Sequence, residues 1–106
     1  MTSKSPITID AVVLPPLHPG EVLMEELGEI GISVAALSRA LDVPQSRMAE
    51  IVAAKRSVTA DTALRLAAYF GTSARLWLNL QAAYDLATTQ AREGEHIAAV
   101  VRPHAA

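Results

Sequence analysis

The stretch that decides the fold runs from Val34 to Val52, VAALSRALDVPQSRMAEIV. Leu37 and Leu41 lie four residues apart, a spacing that puts both side chains on one helix face. Met48, Ile51 and Val52 resume an apolar stripe after an interruption at Asp42, Val43 and Pro44. The stretch therefore reads as two short helices joined by a tight turn, with Val43 placed to plug the angle between them. Pro44 has a backbone angle suited to a helix start and no N–H to leave unsatisfied there. Gln45, Ser46, Arg47, Ala49 and Glu50 remain for solvent, a short and mostly hydrogen-bonding face at a helix N-terminus.

A helix-turn-helix uses that arrangement to read a DNA major groove. Gln45 and Ser46 can bond a phosphate or an adenine edge. Arg47 can bond guanine O6 and N7 or clamp a phosphate, and a good bidentate base contact contributes about 1–3 kcal/mol of discrimination. One turn on, Ala49 can touch a thymine methyl, and Glu50 can accept from cytosine N4 or simply face solvent. Arg39, Lys55, Arg56, Ser57 and Thr59 suit the DNA backbone, where contacts set register without reading sequence. Plainer readings compete: Arg39 as the partner of a nearby acid, Glu50 as a solvated side chain, Thr59 as a helix cap. For Gln45, Ser46 and Arg47 the functional reading is the better one.

Composition bounds the alternatives. A chain of 106 residues has room for one small core. Its residues are 51% hydrophobic but only 4% aromatic, which favours an all-α bundle over a sheet. The absence of cysteine excludes disulfides and thiolate metal sites, and His18, His96 and His104 are too scattered to form a metal site by local spacing. No cofactor is expected. No apolar run approaches the ~20 residues that span a membrane, and MTSKSPITIDAVV lacks the marks of a secretory signal, so a cytoplasmic protein is expected. The serines, histidines and acids share no catalytic spacing, and no enzyme is expected.

A net charge of −2 runs against nucleic-acid binding at first sight. The distribution softens that objection. Glu21, Glu25, Glu26 and Glu29 precede the motif, whereas Arg39, Arg47, Lys55, Arg56 and Arg65 fall within or just after it. A modest basic face suffices for a dimer, which doubles it, and it implies weak non-specific affinity.

Along its length the chain divides into a tail (1–17), a five-helix body (18–92) and a second tail (93–106). A first helix starts near Pro19 and carries Val22, Leu23, Leu27 and Ile30 inward, with Gly28 and Gly31 marking its fraying end. Ser33 can cap the second helix and Thr59 the fourth. The fourth, Ala60 to Phe70, buries Ala63, Leu66, Ala67 and Phe70 and stops at Gly71. A fifth helix begins after Thr72 or Ser73 and runs to about Arg92, where Gly94 ends it. Ile97 to Val101 reads as a short strand or as disordered chain. The fifth helix carries more apolar residues than a small core needs, so Leu76, Trp77, Leu80 and Tyr84 are candidate dimer contacts. Trp77 reads equally as a core residue, and His18 as a capping or packing residue.

Three segments carry a resemblance: HPGEVLMEEL at 18–27, ALSRALDVPQSRMAEIVAAKRSVTADTALRLAAYFGTS at 36–73, and LWLNLQAAYDL at 76–86. They resemble the HigA (VapI-like) antitoxins, a branch of the Xre/lambda-repressor-like helix-turn-helix family. The flanking HPGEVL and LWLNLQ motifs narrow the likeness from transcriptional regulator to antitoxin. Ser38 stands where many such motifs have Ala, and Asp42 where many have Gly; Ser is nearly as small, and Asp accepts left-handed geometry. The resemblance implies a lambda-repressor-like fold and a dual role. Such antitoxins hold inactive a RelE-like, mRNA-cutting toxin, HigB, and as homodimers repress their own operon through a palindromic operator. The alternative is a stand-alone repressor with no toxin partner.

Overall fold

The helices that start at Pro19, Val34 and Ala60 each follow a residue whose side chain caps them. The computed structural model describes residues 16–105, and among these it forms five helices and no strand. They are α1 (Pro19–Ile30), α2 (Val34–Leu41), α3 (Gln45–Val52), α4 (Ala60–Phe70) and α5 (Ala74–Val100). The chain divides into two compact units, one of residues 17–82 and one that takes the described residues from Ala83 onward. The tail expected at 1–17 lies almost wholly outside the described residues.

At the start of α1, His18 takes the place usually held by Ser or Thr in a capping box. Its Nδ1 accepts from the Gly20 N–H at 2.9 Å, and the Glu21 carboxylate accepts from the His18 N–H at 3.4 Å. The bond to Nδ1 requires the ring to be neutral with its proton on Nε2. Ser33 caps α2 by accepting from the Ala36 N–H, and Thr59 caps α4 by accepting from the Thr62 N–H. Gly31 and Gly71 end α1 and α4 in the left-handed conformation (φ 77° and 73°).

The core of the first unit takes residues from every helix. Leu23 and Leu27 come from α1, Leu37 and Leu41 from α2, Met48 and Ile51 from α3, Ala63 and Leu66 from α4 and Trp77 from α5, with Val58 from the loop before α4. Val22, Val43, Val52 and Phe70 pack against this cluster while partly buried. Ile30, expected inward, is 47% exposed. The chain turns at Gly31 immediately after it, and Ile32 packs against the core instead.

Gly20 fixes how α1 meets α3. A Cβ at this position would collide with the Ile51 carbonyl and the Val52 Cα, backbone atoms that cannot swing aside. The HPGE segment is thus a point of backbone-to-backbone contact between the first helix and the third.

The second unit corrects two expectations. Gly94 does not end α5, and Ile97 to Val101 is not a strand; the helix continues to Val100. A single glycine costs a helix only about 1 kcal/mol relative to Ala, and Ala91, Arg92, Glu93 and Glu95 around it are strong helix formers. The stop comes before Pro103, which disfavours helical backbone at the residue preceding it. Leu86, Gly94 and Ile97 share one face of this segment, beside Gln90 and Ala98. Leu86 is 69% exposed.

Two glycines in the same helix should respond oppositely to alanine. Gly20→Ala should lose about 3 kcal/mol through overpacking, whereas Gly28→Ala, with open space around its Cβ, should gain about 0.5–1 kcal/mol. Urea unfolding midpoints of the two variants check this.

Candidate nucleic-acid interface

The turn between α2 and α3 is built by backbone bonds at Asp42 and Val43. Asp42 adopts the left-handed conformation (φ 58°, ψ 51°), its N–H bonding the Arg39 carbonyl at 3.1 Å. The Val43 N–H then reaches back to the Ser38 carbonyl at 3.1 Å. Ser38 is buried, and its hydroxyl donates to the Val34 carbonyl at 2.8 Å, so the polar atom is satisfied within its own helix. Pro44 stands at the start of α3 as its N-cap and offers no side-chain cap. The first N–H groups of α3 therefore have no side-chain acceptor at that end.

Met48 and Ile51 are fully buried and anchor α3 on the core. Gln45, Ser46, Ala49 and Glu50 are exposed on its other side, as their spacing predicted. Arg47 departs from that pattern. It is partly buried, its side chain 28% exposed, and its Nη1 donates to Asp61 Oδ2 at 2.7 Å and to Thr62 Oγ1 at 3.5 Å. Glu50, though exposed, is paired: its Oε1 accepts from Nε and Nη2 of Arg56, each at 2.8 Å.

Asp61, in the first turn of α4, is the hub of the arrangement. Arg65, one turn later, donates to the same Oδ2 from Nε at 2.9 Å. Arg65 also donates from Nη1 to the Leu41 carbonyl at 2.8 Å and the Asp42 carbonyl at 3.3 Å, tying α4 to the end of α2. The Arg65 hydrogen bond, followed by that from Arg47, holds the Asp61 carboxyl below its usual value. The carboxylate therefore stays ionised throughout the neutral range, and the pairing is lost only as pH falls through that lowered value.

These groups line an open cleft together with Ser57 and Thr59. Arg39 and Lys55 lie outside it, exposed and without an ion pair among the described residues. The loop that carries Ser57 and Thr59 is pinned from behind. Gln81 on α5 is buried, and its Oε1 accepts from the Val58 N–H at 2.8 Å. The bonds that Asp61 accepts from Arg47 and Gln81 from Val58 have no local signal in the sequence, because the partners lie 14 and 23 residues apart.

Of the candidate dimer residues, Trp77 is only 3% exposed; its Nε1 donates to Thr72 Oγ1 at 2.9 Å and its ring lies 6.0 Å from that of Phe70. It is a core residue of its own chain. Leu76 is exposed, and Leu80 and Tyr84 are half-buried.

The helix-turn-helix family model matches residues 23–77. Virulence-associated protein I of Dichelobacter nodosus is 57% identical over 74 residues, covering 69% of this chain and 68% of that protein. An addiction module antidote protein of the HigA family from Coxiella burnetii is 46% identical, with a TM-score of 0.81 over 86% of this chain and all (100%) of that one. The Pseudomonas aeruginosa antitoxin HigA, in a structure with the higBA promoter, is 47% identical with a TM-score of 0.80, covering 85% of this chain and 99% of that one.

Gln81→Ala should leave the buried Val58 N–H without its acceptor, at a cost of about 1–3 kcal/mol. Thermal unfolding checks the loss, and amide hydrogen exchange at Val58 should accelerate more than at Leu37.

Proposed function

This chain belongs to the helix-turn-helix family, in its HigA antitoxin branch, and from that premise we propose that it is the antitoxin of a toxin–antitoxin pair. In this reading it binds and silences a HigB-like, RelE-type mRNA-cutting toxin. As a homodimer it represses its own operon by binding a palindromic operator, without catalytic chemistry of its own and in the cytoplasm, where that DNA lies. The observation that carries the DNA-binding half is the outward row Gln45, Ser46 and Ala49 on an anchored α3. Those side chains have the reach and chemistry for base edges, while Arg39, Lys55, Ser57 and Thr59 are disposed for phosphates.

Arg47 is better suited to the backbone than to a base in this reading. It is bonded to α4, which leaves it little freedom to enter a groove. Pairing of two copies is supported by the apolar face of the second unit. Leu86 and Ile97 flank Gly94 there, and Leu86 is exposed. A two-fold pair would present two α3 helices to the two halves of a palindrome.

The alternative, a stand-alone repressor, shares the DNA face and differs in lacking a toxin partner. Co-expression of the tagged chain with the product of its neighbouring gene separates the two. The antitoxin reading expects a stable complex and relief of the growth arrest that the neighbour causes alone; absence of both leaves the repressor. Gln45→Ala should weaken binding to DNA from upstream of the gene by about 1–3 kcal/mol while leaving the toxin complex intact. Leu86→Asp should shift the chain toward monomer in analytical ultracentrifugation and weaken operator binding with it.

A further inference from the structure

The convergence of two arginines, Arg47 and Arg65, on one carboxylate assigns Asp61 a part in DNA discrimination, an inference that rests on the operator-binding reading above. We propose that Asp61 is a positioning residue: it holds Arg47 in one orientation at the edge of the reading helix and limits the attraction of this face for DNA of any sequence. Three observations carry this. Arg47 belongs to α3 and Asp61 to α4, so the 2.7 Å bond ties the reading helix to the helix behind it. Asp61 is held in turn by Arg65, whose other nitrogen grips the Leu41 carbonyl at the end of α2. One carboxylate thus locks together all three helices of the DNA face. Both hydrogen bonds of Arg47 leave from Nη1, so the other terminal nitrogen keeps its capacity to meet a phosphate.

The charge balance gives the second half of the proposal. Glu50 neutralises Arg56, and Asp61 offsets one of the two charges on Arg47 and Arg65. Together the five groups of these pairs (Arg47, Glu50, Arg56, Asp61 and Arg65) carry one net positive charge. Sequence-independent binding scales with the phosphates a surface neutralises, so acids at this face hold it down. Specific binding loses less, because a fixed guanidinium needs no ordering on arrival. An acid in a DNA-binding face raises the ratio between the two affinities.

The test compares two duplexes of equal length, the DNA upstream of the gene and a scrambled version, over a range of salt. Asp61→Asn keeps the size of the side chain and removes its charge. The expected result is roughly threefold tighter binding of the scrambled duplex, a steeper salt dependence, and a fall of about fivefold or more in the affinity ratio. Asp61→Glu should restore most of the ratio. In an Arg47→Ala background, Asp61→Asn should no longer lower the ratio through orientation, so the two substitutions are not additive. Equal changes for both duplexes, or a fall in thermal stability with an unchanged ratio, would overturn the proposal and leave Asp61 a structural tie. A wild-type protein that does not discriminate between the duplexes overturns the operator reading itself, a result distinct from failure of the variant.

Discussion

The close approach of α1 to α3 at Gly20 is the constraint from which the rest of the DNA face follows. An eight-residue helix does not hold itself together in water, and α3 has no side-chain cap at its start. Its position must come from its neighbours. Met48 and Ile51 drive it onto the core, but apolar burial is non-directional and does not by itself fix height or tilt. Backbone contact at Gly20 does, because the carbonyl of Ile51 fits only where a side chain is missing. The reciprocal cap of His18 and Glu21 then holds Gly20 at the first turn of α1.

Polar ties complete what packing starts. Arg47, Asp61 and Arg65 connect α3, α4 and the end of α2, and Gln81 connects α5 to the loop before α4. The ion pairs among them are exposed, and exposed pairs contribute little to stability. Their value is directional. They decide where guanidinium groups stand on a face whose inventory of charge is otherwise modest, in a chain that is net acidic.

Local signals made much of this legible in the sequence. The leucine spacing located α2, Pro44 marked the start of α3, Ser33 and Thr59 announced caps, and Asp42 was read correctly as tolerant of left-handed backbone. Each of those features acts within four residues of itself. What escaped was non-local. Arg47 reads as an outward side chain on any helical projection of α3, and only the placement of α4 shows that Asp61 claims it. Gly20 reads as a helix-start glycine until Ile51 is seen against it. Gly94 reads locally as a stop for α5, yet a helix bordered by strong formers absorbs one glycine and runs on to Val100.

The account stands on α3 and the start of α4 meeting DNA as one surface. Its most direct test is nuclear magnetic resonance of the isotope-labelled chain, titrated with a duplex from upstream of its own gene. The account predicts amide shifts concentrated at Gln45, Ser46 and Ala49 and at Ser57 and Thr59, with Glu25 and Glu29 on α1 unmoved. Shifts centred on α1, or none along α3, would contradict it.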